Sequence, residues 1–242
     1  MSFIGVIVEF WPRLLHGLYL TLLLTGLSAI LAGGLSLPLA VFRTSAGPWA
    51  QLPLRIYVSF MRGTPLLGQL FLIYYGSGQF RAELQSVGLW SFFRDPFNCA
   101  VLAFTLNSTA YQIEILRGGL MGVPAGQVEA ARAIGMSRWQ AYRRVILPHT
   151  YRIAQPALGN EIILLMKGSA VASVITIFDL MGETKTVFAK TFDFSIYLWA
   201  AIIYLVVTTL FVRAWRYLET LLNPHLGGHA PPEAAHPVPG VR

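Results

Sequence analysis

The sequence contains few charged residues and a single cysteine. Asp, Glu, Lys and Arg make up 12% of the 242 residues, about half of the roughly 25% that soluble domains carry. Hydrophobic residues make up 55%, so too little polar surface remains to cover a water-soluble particle of this size. This composition predicts an integral membrane protein in contact with lipid. Because Cys99 has no second cysteine to pair with, an intrachain disulfide is excluded.

Motifs for nucleotide binding, covalent catalysis and metal binding are also missing. A phosphate-binding G-x-x-x-x-G-K-[ST] loop is absent, and the nearest candidate, Lys167-Gly168-Ser169, has the wrong order. The five histidines are scattered and form no Ser/His/Asp or H-E-x-x-H arrangement. We therefore predict no catalytic residue, no metal site and no cofactor, and hence no enzyme. The net charge of +7 does not indicate nucleic acid as a partner, because the positions of the basic residues along the chain follow the orientation of a membrane protein.

Long runs with few charges predict membrane-spanning helices, each of which needs about 20 mostly apolar residues. Five runs qualify: 17–42, 56–80, 96–113, 153–178 and 194–212. We expect an all-α membrane protein with five transmembrane helices, or six if the short amphipathic segment 1–16 also spans. Pro65 is expected to kink the second span. The transmembrane domain is placed at 17–222, and the Pro-, Ala- and His-rich segment 223–242 is predicted to be a disordered cytoplasmic tail.

The basic residues predict the orientation of these spans. If the N-terminus lies outside, each outer segment carries equal numbers of acidic and basic residues. Cytoplasmic loops of membrane proteins carry an excess of Lys and Arg. Twelve of the 18 basic residues then lie inside, and the N-terminus is predicted outside with the C-terminus in the cytoplasm. The inner residues are Arg43, Arg55, Arg62, Arg117, Arg132, Arg138, Arg143, Arg144, Arg152, Arg213, Arg216 and Arg242.

The long cytoplasmic loop 117–152 is expected to be structured. Residues 127–133 read QVEAARA, a run of strong helix formers. Gly135 interrupts this run, and Ser137 is placed to cap a second helix that we expect to end at Pro148. Small side chains at Ala130 and Ala131 suit a helix that enters a groove of another protein.

The same loop carries a family pattern. Glu129-Ala130-Ala131, three residues, Gly135, nine residues and then Val145-Ile146-Leu147-Pro148 resemble the E-A-A-x3-G-x9-I-x-L-P loop of ATP-binding-cassette import permeases, with Val145 in place of Ile. The segments 62–70, 106–137 and 159–180 resemble the polar amino-acid subfamily. Within it the chain is most similar to permeases for histidine, lysine, arginine and ornithine and for the opines octopine and nopaline.

This resemblance implies a mechanism and partners. The loop would be a coupling helix that docks into an ATPase subunit, and the candidate coupling residues are Glu129, Ala130, Ala131, Gly135, Arg138, Leu147 and Pro148. The resemblance also implies a bacterial inner-membrane location, a periplasmic solute-binding protein and a second permease subunit. A different second subunit is favoured over an identical one. ATP hydrolysis would belong to the ATPase chain.

Polar residues inside the spans are candidates for the solute path, since ionisable groups in a membrane are costly and often functional. Glu161 is the first choice for the charge of a cationic amino acid, with Asn160 beside it. The alternative for each ionisable residue is a structural ion pair or a side chain that snorkels to the membrane surface. Glu114 is spaced to pair with Arg117 at i,i+3. The full candidate set is Arg62, Glu114, Asn160, Glu161, Lys167 and Ser169.

These inferences predict an importer permease subunit for polar, basic amino acids or opines. One alternative keeps this permease type but changes the solute to glutamine or another neutral or acidic amino acid. Another is a gradient-driven carrier or channel without an ATPase, which would have no need of the 117–152 loop.

Overall fold

Residues 3–222 are the part of the chain that the computed structural model describes, with side chains described for 5–221, and all of their regular secondary structure is helical. This confirms the all-α class. The predicted tail 223–242, with its three histidines, lies outside the described residues. The helices are α1 (Phe3–Ser45), α2 (Leu52–Gly63), α3 (Leu66–Gln79), α4 (Arg81–Ser86), α5 (Trp90–Phe93), α6 (Pro96–Met121), α7 (Ala125–Ala133), α8 (Arg138–Ala141), α9 (Leu147–Gly168), α10 (Leu180–Thr191) and α11 (Ser195–Leu222).

Helix α1 is much longer than the span expected at 17–42. Its 43 residues extend about 65 Å at 1.5 Å per residue, twice the roughly 30 Å of membrane hydrocarbon. The helix is continuous across residues 16 and 17, so residues 3–16 belong to the same helix as the span. Its N-terminal part buries Val6 and Leu14 against Leu180 and Ile196 of α10 and α11.

The second predicted span is broken, as the proline in it predicts. Helices α2 and α3 meet at an angle of 107°. Thr64 and Pro65 are extended, with ψ of 148° and 136°, because a proline disfavours helical geometry in the residue before it. The Gln69 side-chain amide donates to the Met61 carbonyl and to Thr64 Oγ1, each over 2.8 Å. These bonds satisfy backbone and side-chain groups that the break leaves exposed.

Three helical stretches of the described chain are long and apolar enough to cross a membrane: Gly5–Ser45, Arg138–Ile175 and Ser195–Leu221. The bent pair α2–α3 makes a fourth if it counts as one span. Helix α6, expected as the third span, is not among them. It has 26 residues, but several of them are polar and buried, including Ser108, Thr109 and Gln112.

Helix α6 lies at the centre of the helical packing and makes its most extensive contacts with α1 and α9. Gly119 permits the close approach of α9. A Cβ atom at this position would lie 2.8 Å from the Thr150 carbonyl oxygen and 3.1 Å from its methyl group. The start of the helix is fixed by Asp95, whose carboxylate accepts from the Phe97 backbone N–H over 2.9 Å, with Pro96 in the first helical turn.

One expectation for the loop 117–152 is wrong, because Pro148 does not end a helix. The first residues of this loop, to Met121, continue α6. Helix α8 passes through a π-helical turn, Tyr142–Ile146, directly into α9. Pro148 lies in the first turn of α9, where the wider π turn has already shifted the hydrogen-bond pattern and a missing N–H is tolerated.

The end of the fourth span and the segment after it also differ from expectation. Helix α9 ends at Gly168 and continues as a 3-10 helix, Ser169–Ile175. Helix α10, which the sequence reading left in an outer loop, is capped by Asp179, whose Oδ1 accepts from the Gly182 N–H over 2.9 Å. Asp193 precedes α11 in the same way, and the hydrogen bond from the Ser195 backbone N–H lowers the pKa of its carboxyl below the usual range.

Candidate functional site

Helix α7 ends in a motif that accounts for Gly135. Gly135 has φ of +81°, a left-handed conformation that glycine adopts without strain. The Met136 N–H donates to the Ala131 carbonyl over 3.1 Å, and the Gly135 N–H donates to the Arg132 carbonyl over 2.9 Å. This is the Schellman pattern of a helix C-terminus. Gly135 therefore has a structural role in turning the chain away from α7.

The next helix begins two residues later with a capping box. The Gln140 backbone N–H donates to Ser137 Oγ over 3.3 Å, and the Ser137 backbone N–H donates to Gln140 Oε1 over 2.9 Å. The predicted pair of helices joined at Gly135 is thereby confirmed, but only the first is short, because α8 continues through the π turn into α9. A short rigid helix held between two defined turns is suited to transmit a movement.

The coupling residues expected from the sequence are not equally accessible. Glu129, Ala130 and Arg138 are exposed. Ala131 is only 3% exposed, so its methyl group is covered within this chain, and its contact with another protein stays a prediction. Leu147 is half-buried, and Pro148 is exposed beside it at the start of α9.

Two large apolar side chains at this loop were missed by the sequence reading. Ile134 is 73% exposed and Trp139 is 71% exposed. Isolated apolar side chains are common on surfaces, but tryptophan is enriched where proteins bind each other. Their position on either side of Gly135 is the signal that could have identified them. We call Glu129, Ala130, Ile134, Arg138 and Trp139 the coupling surface.

A buried chain of hydrogen bonds connects three helices inside the protein. Ser36 Oγ of α1 donates to Gln112 Oε1 over 3.2 Å, and Gln112 Nε2 donates to Ser108 Oγ over 3.2 Å. Ser108 Oγ then donates to Glu161 Oε1 of α9 over 2.9 Å. All four side chains are at most 6% exposed. Sequence reasoning identified only Glu161, since the other three are uncharged and resemble helix-packing residues.

Glu161 and its expected companions face in different directions. Successive helix residues are about 100° apart, so buried Glu161 and exposed Asn160 lie on different faces of α9. Asn160 lines a groove of about 330 Å³ beside Trp215 and Glu219 of α11. Ser169 is buried at the end of α9, where its Oγ donates to the Met166 carbonyl over 2.8 Å. Asn160 and Glu161 therefore do not share one surface of this chain, and a joint role in the solute path stays a prediction.

Two cations of the expected set are exposed on the surface of this chain. Lys167 is exposed near the end of α9, and Arg62 is exposed near the break between α2 and α3. The Arg62 guanidinium lies 5.2 Å from the centre of the Tyr111 ring, in range for a cation–π interaction. A cation is expensive to expose to lipid, so these side chains require water or protein around them.

Glu114 belongs to an ion-pair cluster. Its carboxylate contacts the guanidinium of Arg43 and that of Arg117, the latter over 3.0 Å at i,i+3. The Arg117 pair confirms the structural alternative that the spacing offered. The added partner, Arg43, comes from α1 and could not be read from spacing within one helix.

Comparison with known proteins gives a consistent result. The family described as binding-protein-dependent transport system inner membrane component matches residues 22–223. The nopaline transport system permease protein of Agrobacterium fabrum is 43% identical over 96% of this chain and 98% of its own length. The histidine/lysine/arginine/ornithine transport system permease protein of Escherichia coli is 38% identical over 92% of this chain and 97% of its own.

A solved structure has the same fold. The crystal structure of an amino acid ABC transporter with histidines superimposes with a TM-score of 0.78 and 36% sequence identity. The match covers 91% of this chain and 99% of the other. Both the sequence and the arrangement of helices are therefore shared over nearly the whole length.

Proposed function

This chain belongs to the family of binding-protein-dependent transport system inner membrane components, and from that premise we propose that it is the permease subunit of an ATP-driven importer. Its solutes would be basic amino acids or opines. The observation that carries the proposal is similarity over almost the full length to permeases for nopaline and for histidine, lysine, arginine and ornithine. It is a multi-pass inner-membrane protein and a transport component.

The family implies two kinds of partner. A substrate-binding protein delivers the solute, and a separate ATPase subunit hydrolyses ATP. The permease itself then needs no cofactor. Its task is to alternate the access of a solute path between the two sides of the membrane, which requires that a movement of the ATPase reaches the spanning helices.

The coupling surface supports a docking role toward the ATPase. Glu129 and Arg138 supply exposed charges, and the small side chain of Ala130 allows a partner to approach closely. Ile134 and Trp139 add exposed apolar area that a partner would shield from water. Helix α8 runs through the π turn directly into α9. Force applied at the loop therefore has a continuous helical connection to the buried Glu161 side chain.

The proposed topology has five membrane spans: the three apolar helical stretches, the broken pair α2–α3 and α6. The 26 residues of α6 extend about 39 Å, and its polar side chains are shielded by α1, α3 and α9 instead of facing lipid. The domain limits 17–222 and a cytoplasmic tail at 223–242 remain part of this proposal. The part of the predicted segment 1–16 that the structure describes, residues 3–16, would be the outer extension of α1.

Two ion pairs agree with the predicted grouping of segments on each side of the membrane, while the choice of an outer N-terminus and an inner C-terminus rests on the basic residues. Arg13 Nε lies 3.0 Å from Glu183 Oε2, and the orientation proposed from basic residues places both outside. Arg43 contacts Glu114, and the same orientation places both at the inner end. Each pair joins residues far apart in sequence on one predicted side of the membrane.

The exposed cations support a solute path shared with a second permease subunit. Lys167 and Arg62 would face water at this path, because exposure to hydrocarbon is unfavourable. Lys167 can attract the carboxylate that all these amino acids share. Glu161 lies behind this surface and would attract a cationic side chain once α6 and α9 separate. A different chain is favoured as the second subunit.

A transport assay in reconstituted vesicles tests this function. The chain, its ATPase, its second permease and its binding protein are assembled, and uptake of labelled arginine, an opine and glutamine is followed with ATP or a nonhydrolysable analogue. We expect ATP-dependent uptake of arginine or the opine. Glutamine as the sole solute would overturn the assigned solute class, and uptake driven by a proton or sodium gradient without ATP would overturn the importer mechanism.

A further inference from the structure

Three arginines from different helices surround a cavity at the end of α1. The cavity measures about 390 Å³, within the roughly 300–1,000 Å³ of small-molecule sites. Arg43 comes from the last turn of α1, Arg55 from α2 and Arg117 from α6. We call this cavity the arginine pocket. Its lining is Arg43, Thr44, Gln51, Arg55, Arg117 and Met121.

Positive charge exceeds negative charge at the arginine pocket. Glu114 pairs with both Arg43 and Arg117 but is not among the six lining residues. Arg55 Nη2 donates to the neutral Gln51 Oε1 over 3.1 Å. Three guanidinium groups and one carboxylate leave a net charge of two positive units, so the pocket favours an anion.

The shape and donors of the pocket favour a phosphate group. Each guanidinium has five N–H donors in a planar fork that matches phosphate oxygens. Arg117 uses Nε and Nη2 toward Glu114 Oε2 and Nη1 toward Met121 Sδ, and Arg55 uses Nη2 toward Gln51. Because each guanidinium has five N–H donors, donors remain on both. The Thr44 hydroxyl and the Gln51 amide add polar groups to the same lining.

Aromatic side chains indicate the depth of the pocket in the membrane. Phe42 is 45% exposed and Trp49 is 85% exposed, and they flank the end of α1 at Ser45. Tryptophan is enriched at the level of lipid headgroups. Basic pockets between transmembrane helices on the cytoplasmic side bind acidic headgroups.

We propose that the arginine pocket is a binding site for a phosphate group at the inner membrane surface, supplied by an anionic phospholipid or by free inorganic phosphate. The six lining residues include no candidate for the solute path and no residue of the coupling surface. Occupancy would bring α1, α2 and α6 together by neutralising the repulsion among Arg43, Arg55 and Arg117.

Native mass spectrometry of the purified importer complex tests the site. The complex is titrated with phosphatidylglycerol, with phosphatidylcholine of the same acyl chains, and separately with inorganic phosphate. We expect preferential retention of phosphatidylglycerol, or binding of inorganic phosphate that competes with it. Arg55→Gln should weaken the bound species about fivefold, since one basic residue near the surface contributes about 1 kcal/mol.

Two further variants make the result specific. Arg55→Lys retains a charge and should keep most of the affinity, while Arg213→Gln removes an exposed arginine from α11, outside the pocket, and should leave affinity unchanged. Lipid preference without phosphate binding identifies a headgroup, and phosphate binding without lipid preference identifies the free ion. Equal losses in Arg55→Gln and Arg213→Gln, or no selectivity for either phosphate source, would overturn the proposal. The mass of the intact complex in each spectrum verifies assembly.

Discussion

The hydroxyl of Ser108 and the carboxylate of Glu161 join α6 to α9 through a hydrogen bond of 2.9 Å between Oγ and Oε1. Ser108 is fully buried and Glu161 is 6% exposed. A buried carboxylate is unfavourable unless hydrogen bonds or charges stabilise it. This contact therefore holds together the two helices that must separate if Glu161 is to reach a solute.

Ser108→Ala should destabilise the protein because it removes a donor from a buried acceptor. A lost hydrogen bond to a charged group costs about 1.5–3 kcal/mol. Thermal unfolding of the purified complex measures the change, with Ser59→Ala, an exposed position of α2, as the control. Equal melting temperatures for the two variants would show that the Ser108 contact contributes nothing.

Glu161→Gln should reduce the uptake of cationic solutes with little loss of stability. Glutamine has nearly the same shape and still accepts from Ser108, but it has no charge to attract an arginine side chain. We expect arginine uptake to fall at least about tenfold, since one charge contact is worth some 1.5–3 kcal/mol. Initial uptake rates in vesicles provide the measurement, and near-normal arginine uptake would contradict the assigned role.

Glu129→Lys should uncouple the permease from its ATPase. Charge reversal on the exposed coupling surface changes electrostatic complementarity but leaves the fold of α7 intact. We expect loss of the ATPase in pull-down and loss of ATP-dependent uptake. Glu83→Lys makes the same change at an exposed site on α4 and should have no effect. Normal binding and transport by Glu129→Lys would refute the docking assignment.

Gly135→Ala should weaken the turn after α7. A left-handed conformation costs an L-residue roughly 1–2 kcal/mol, and φ at Gly135 is +81°. Faster hydrogen exchange in residues 125–140 and weaker ATPase binding are expected. Gly126→Ala lies in α7 with open space at its Cβ position and should slow exchange slightly, because alanine favours helices. If both variants exchange alike, the turn does not require glycine.

Gly119→Ala should separate α6 from α9. The new methyl group would lie 2.8 Å from the Thr150 carbonyl oxygen, and such overpacking costs about 1–3 kcal/mol. The neighbouring Gly118 has open space at its Cβ position, so Gly118→Ala should keep or raise the melting temperature. A melting temperature of Gly119→Ala equal to that of Gly118→Ala would contradict the close contact.

The sequence predicted the features that depend on local chemistry. Pro65 breaks the second span because a proline disfavours helical geometry in the preceding residue, whatever surrounds it. Ser137 caps α8 because its hydroxyl reaches a backbone N–H three residues later. The pairing of Glu114 with Arg117 follows from i,i+3 spacing on one helix.

Features that depend on contacts between distant residues were not predicted. The sequence gives no sign that Ala131 is covered while Ala130 is exposed, since both are small residues in one helix. Proline usually breaks a helix, but Pro148 lies inside α9 because the preceding π turn changes the hydrogen-bond pattern there. Helix α10 was missed because its charged residues resembled an outer loop.

The amino-acid sequence by itself determined that this protein is helical and apolar, and it carried the pattern of an importer permease. Those properties follow from composition, helix signals and a motif of fixed spacing, each readable along the chain. Only the tertiary structure decided which charges face outward and which are buried. It placed Glu161 against Ser108 and left Lys167 exposed, because burial depends on which helices pack together, and that is settled by contacts among residues far apart in sequence.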